Sequence, residues 1–98
     1  MKIAINTTFG GFYLSTEAVQ LLKKKGILDA NQFGDGIARN DQRLIEVIEE
    51  LGEKACEFAA DIRIVDIPDD VRDWYVHDYE GCESVREGRV WSFGCSNA

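Results

Sequence analysis

The sequence predicts an α+β protein: a small, mostly antiparallel sheet of about four strands with two helices on one face, in the order β-α-α-β-β-β. Three observations carry this. The first residues alternate apolar and polar. Two later stretches place apolar residues three and four apart behind capping residues, and everything after Asp61 returns to alternation punctuated by Pro and Gly.

In Lys2-Ile-Ala-Ile-Asn6, Ile3 and Ile5 share one face of a short strand. The stretch TTFGGFYLSTEAV follows. Ser15 is placed to cap a helix, Glu17 suits the positive end of its dipole, and Leu14 and Val19 stand at the spacing of a hydrophobic staple. Ala18, Leu21 and Leu22 are expected to face inward. Lys23 to Lys25 suit the other end, Gly26 stops the helix in the left-handed conformation, and Ile27 packs back. Residues 29–40, with no steady period, form a long connection of the kind that is often functional.

A second helix starts at Asn40 or Asp41, with Leu44, Val47, Ile48 and Leu51 on its apolar face and Gly52 at its end. The run EKACEFAA adds a turn with Phe58 as a core anchor. The segment DIRIVDI, a Pro68-Asp69-Asp70 turn and VRDWYVHDYE then read as an antiparallel hairpin. In its second arm Tyr75, His77 and Tyr79 share one face, and Trp74 and Val76 the other. Gly81 breaks the strand, CESVRE reads as a helical turn, and Arg89 to Phe93 forms the last strand with Arg89, Trp91 and Phe93 on one side.

The 98 residues read as one domain, long enough to bury roughly 60–65% of the unfolded surface. No stretch approaches the roughly 20 apolar residues of a membrane span, and no apolar signal region follows the start, so a cytosolic protein without membrane contact is expected. The three cysteines, Cys56, Cys82 and Cys95, are odd in number and lack a Cys-x-x-Cys pair, so reduced thiols are expected.

The formal charge is −7, and it is unevenly placed: residues 1–50 hold seven acids against six bases, residues 51–98 eleven against five. An acidic surface repels phosphates along a nucleic acid, so direct nucleic-acid binding is disfavoured, whereas docking on a basic partner is favoured.

No residue set points to catalysis. His77 and Asp78 are strand neighbours whose side chains face opposite ways, so they form no relay. One histidine and scattered thiols predict neither a metal site nor a cofactor, and no serine or cysteine lies in a nucleophile motif. A glycine-rich turn before a helix can aim N–H groups at phosphate, yet FGGF lacks both the Walker ending and the dinucleotide glycine spacing. What remains is a set suited to a nucleotide-type ligand: Gly10 and Gly11, Arg39 and Arg89 for phosphate, and Tyr75, Tyr79 and Trp91 for stacking a base. The competing set, for a basic protein partner, is Asp66, Asp69, Asp70, Asp73, Asp78 and Glu80. Packing and turn roles explain the same residues and stay open beside both sets.

Several of these motifs converge: Phe9-Gly-Gly-Phe12, Leu14-Ser15, Arg39-Asn-Asp41, IEVIEELG from Ile45, IVDIPDDV from Ile64, Asp78-Tyr-Glu-Gly81 and Arg89-Val-Trp91. In their order and over most of the chain they resemble a family of short bacteriophage and prophage proteins that open with an aromatic-Gly-Gly-Phe-x-Leu-Ser loop. The sequence departs from that pattern at Phe9, where tyrosine is usual, and at Gly88, where a histidine usually precedes the arginine. The resemblance implies an accessory protein acting in the host cytoplasm against host defences. Such a protein is expected to be a non-enzymatic binder that sequesters a nucleotide-derived immune signal. The alternative is an acidic, anti-CRISPR-like inhibitor that occupies a basic defence protein. A homodimer is compatible with either.

Overall fold

A computed structural model describes residues 1–58, 60–92 and Gly94. In chain order the elements are β1 (Lys2–Asn6), α1 (Thr16–Lys24), α2 (Gln42–Leu51), a 3-10 turn at Gly52–Ala55, β2 (Ile62–Asp66), β3 (Tyr75–Tyr79), β4 (Cys82–Glu87) and β5 (Arg89–Trp91). The protein is α+β, with both helices on one side of a β ribbon. The strands divide into two antiparallel sheets: β1 pairs with β2, and β3, β4 and β5 form a meander.

Three layers result, and the pleat of β1 explains them. Ala4 points to the helices, where it meets Leu22, Leu44, Ile45 and Ile48 in one core. Ile3 and Ile5 point the other way, where they meet Val65, Ile67 and Val85 with Trp74, Val76 and Trp91 in a second core. β1 is therefore buried on both faces, and the alternation read from Ile3 and Ile5 shows only one of them.

Both helices start and stop for local reasons. Ser15 Oγ accepts the Ala18 N–H at 3.1 Å while donating to the Lys54 carbonyl at 2.6 Å. At the far end, Gly26 N–H reaches Lys23 O and Ile27 N–H reaches Leu22 O, the paired bonds of a Schellman stop, with Gly26 at φ 106°. Asp41 caps α2 by accepting the Arg43 N–H at 2.9 Å.

Several expectations need correction. DIRIVDI and VRDWYVHDYE do not form a hairpin. Pro68 does head a turn, its carbonyl accepting Val71 N–H, but the chain then runs on with Val71 and Trp74 against the second core, and β2 joins β1 instead. The true hairpin is β3 with β4. Its two-residue turn, Glu80-Gly81, has positive φ at both positions (51° and 93°), the twist that suits a tight hairpin. CESVRE is accordingly strand β4 rather than a helical turn. Phe58 is no core anchor: it stands 76% exposed after the 3-10 turn. Cys56 is a free thiol, but Cys82 is disulfide-bonded, since an odd number of cysteines does not exclude a bridge. The proposed positions of Phe93 and Cys95 lie outside the described residues.

Candidate functional site

The glycine loop is shaped by backbone conformation. Gly10 and Gly11 sit at φ 117° and 110°, and a Cβ at either would meet nothing within 4 Å, so glycine is needed for the left-handed dihedral and not for room. Gly81 differs: its Cβ would collide with the backbone of Gly10 and Gly11. The loop and the β3–β4 turn thus touch backbone to backbone, joined by Gly10 N–H to the Glu80 carbonyl at 2.9 Å and by Phe9 edge-on to Tyr79. With the Gly10 N–H occupied in this way, the loop serves as a buttress for the hairpin tip.

Arg39 is occupied as well. Its Nη1 and Nη2 donate to the two Glu83 carboxylate oxygens at 2.6 and 2.9 Å, Nη1 also reaches the Ala4 carbonyl, and its guanidinium lies 3.9 Å over the centre of the Phe12 ring. The same Glu83 Oε1 accepts the Asn6 N–H at 2.8 Å. Asn6, fully buried, continues the network: its amide donates to the Thr8 and Gly81 carbonyls, and its Oδ1 accepts the Asp61 N–H. Among the described residues no buried side-chain polar atom is left without a hydrogen bond.

The remaining candidates fall on two different surfaces. Arg89 and Trp91 lie on the inner side of β5, where with Pro68, Asp70, Val71, Arg72, Asp73 and Glu87 they line an open groove of about 590 Å³. Three carboxylates there oppose phosphate binding. Tyr75 and Tyr79 lie on the outer face of the meander, 55% and 63% exposed. The cross-strand pairs His77 with Ser84 and Tyr75 with Arg86 place His77, Ser84 and Arg86 on that same face. A hollow of about 240 Å³ opens there, lined by His77, Tyr79, Cys82, Ser84, Arg86 and Val90 together with Glu83 and Ser92. Arg86 Nε donates to Ser84 Oγ at 3.2 Å, and its terminal nitrogens have no partner among the described residues. Alternation sends Asp78, Glu83 and Glu87 to the inner side, so the outer face carries cationic and aromatic groups in a molecule of net charge −7.

Of the acids expected to meet a basic partner, Asp66 and Asp69 hold the Met1 ammonium at 3.2 and 2.5 Å. The contact raises the ammonium pKa, chiefly through Asp69, and lowers that of Asp69. Asp78 accepts the Gly81 N–H, Glu80 forms the hairpin turn, and Asp70 and Asp73 line the groove beside Arg89. Among the described residues no three His, Cys, Asp or Glu side chains gather as a metal site, and no helix is long and apolar enough to cross a membrane.

The structure therefore places Tyr79 beside the tip buttressed by Gly10-Gly11, with Tyr75 on the same face at the other end of β3, and separates both from Arg39, Arg89 and Trp91. Sequence reasoning missed Arg86, Ser84, Glu83 and Asn6. The first three were legible in CESVRE, whose alternation as a strand puts Cys82, Ser84 and Arg86 on one face and Glu83 and Val85 on the other. No protein-family model, no curated protein and no solved structure matches the chain.

Proposed function

We propose that this chain is a non-enzymatic binding protein that captures a nucleotide-type ligand on the outer face of β3, β4 and β5. In the phage setting that the sequence resemblance implies, the ligand would be a nucleotide-derived immune signal of the host, and capture would disarm the defence in the host cytoplasm. One observation carries the reading: an acidic protein presents a sheet face on which alternation sets Tyr75, Tyr79, His77 and Arg86, while Glu83, which also lines the hollow there, has its carboxylate held by Arg39. Tyrosine rings offer π-faces to a base, and the terminal nitrogens of Arg86 offer the paired donors that match a phosphate.

Calorimetry of the purified protein against linear and cyclic nucleotides and ADP-ribose derivatives tests this. At least one should bind, and Arg86→Ala should weaken it about 10- to 100-fold, the worth of a charge-assisted hydrogen bond of about 1.5–3 kcal/mol. Tyr79→Ala should weaken it too, whereas Arg89→Ala, on the inner side, should leave it unchanged. No binder across the panel, or one indifferent to Arg86 and Tyr79, overturns the reading.

A further inference from the structure

A second exposed surface lies at the other side of the glycine loop, where Tyr13, Phe33 and Phe58 form an aromatic trio. Phe33 and Phe58 are 62% and 76% exposed, and each meets the Tyr13 ring edge-on, with centroids 5.3 and 4.8 Å away. The platform under them is tied together by backbone bonds from Leu14 N–H to Gln32 O and from Glu57 N–H to Tyr13 O, and by the Tyr13 hydroxyl donating to Gln32 Oε1. Phe58 is held at φ 56°, a left-handed conformation that a bulky residue seldom adopts. Exposed aromatics fixed in place by such a backbone mark a contact surface more than a packing accident.

The short stretches of sequence that supply the trio carry one sign of charge. The three segments that supply it, residues 12–17, 28–35 and 56–58, contain the acids Glu17, Asp29, Asp35 and Glu57 and no lysine or arginine. With Glu57 next to Phe58 and Asp35 two residues from Phe33 in sequence, the exposed rings suit a guanidinium, which stacks on a ring while its N–H groups reach an acid. The molecule already makes such a stack internally, where Arg39 lies over Phe12. We propose that the Tyr13-Phe33-Phe58 surface docks an arginine-bearing segment of a protein partner. This moves the basic-partner alternative from the acids of residues 66–80 to a different part of the molecule, and it stands independently of the nucleotide reading.

The test is titration of the ¹⁵N-labelled protein with an acetylated hexa-arginine peptide, beside hexaglutamate as control, followed by amide chemical shifts. Shifts should concentrate at residues 13, 32–35 and 56–58, fade as salt is raised, and be absent with hexaglutamate. Phe33→Ala combined with Phe58→Gly should weaken the peptide at least tenfold. Phe58→Gly alone should weaken it while raising the melting temperature, because glycine relieves the left-handed φ; a residue with only a structural role would not separate the two. Should the double variant unfold, Asp35→Asn with Glu57→Gln provides the same binding comparison through charge. Absence of binding, or shifts centred on residues 66–73 with undiminished affinity in the variants, overturns the proposal. Nucleotide affinity, read at Tyr79 and Arg86, is measured separately and should be unaffected by these changes.

Discussion

Arg39 and Glu83 form a two-pronged ion pair across the interior, at 2.6 and 2.9 Å, with the Glu83 side chain 5% exposed. The pair joins the long connection after α1 to the start of β4, and β1 is bonded to both partners, giving its Ala4 carbonyl to the arginine and its Asn6 N–H to the glutamate. Removing one partner strands a charge with few alternatives. Glu83→Ala or Arg39→Ala should each cost about 3–5 kcal/mol, read from urea unfolding midpoints. Arg39→Met with Glu83→Leu should cost less than the sum of the single changes, because no lone charge is then buried.

Asn6 ties the end of β1 to two distant segments at once, so Asn6→Ala should remove its bonds to the Thr8 and Gly81 carbonyls and to the Asp61 N–H. At about 1–3 kcal/mol for each polar group left unsatisfied, less whatever water recovers, the loss should exceed about 2 kcal/mol. Thermal unfolding followed by far-UV circular dichroism measures it.

The glycines form a graded series. Gly10→Ala and Gly11→Ala should each cost about 1–2 kcal/mol, since a Cβ meets open space and only the positive φ is strained. Gly81→Ala should cost more than either, because its Cβ runs into the backbone of Gly10 and Gly11. If the three variants melt together, the backbone contact between loop and hairpin tip is not what holds them.

Two carboxylate contacts predict a pH dependence. Asp41 is held below its ordinary 3.8, first by its side-chain hydrogen bond with Arg43, so its stabilising effect is present above that value and fades as pH falls through the folded one. Asp69 behaves the same way, held down by the Met1 ammonium. The ammonium is raised above 8.0, so its share is complete below pH 8 and is lost as pH climbs through its folded value. Asp69→Asn should therefore lower the urea midpoint slightly between about pH 4 and 8 and converge with the parent at both extremes. Asp41→Ala should cost about 1 kcal/mol near neutrality as a lost helix cap, with the difference shrinking in acid.

Local chemistry was legible in the sequence. Ser15, Asp41 and Gly26 act within a few residues of themselves, so their roles as caps and stop could be read from neighbours alone. Strand partnership was not, because Ile3 meets Val65 and Val85 across most of the chain, and nothing near residue 3 says which later apolar run will cover it. The polar tract CESVRE hid a strand because its buried glutamate looks like a surface residue until Arg39 is placed beside it. The aromatic strip Tyr75, His77 and Tyr79 is one face, as the alternation indicates, and the arginine that shares that face is Arg86 of β4, whereas Arg89 stands on the inner side of β5. Phe33 and Phe58, scattered in loops, carry no periodicity by which they could have been paired with Tyr13.

The central position of β1 has a consequence for how the protein is made. Its partners are distant: Lys2 opposes Asp66, and Asn6 waits for Glu83, 77 residues later. While the chain is being synthesised, α1 and α2 can form, but the strand against which they pack has neither its ribbon neighbour nor its second cover. The side of Lys2–Asn6 that carries Ile3 and Ile5 therefore cannot be fully covered until β4 has emerged. Lys2–Asn6 is thus translated long before either its ribbon neighbour or its second cover.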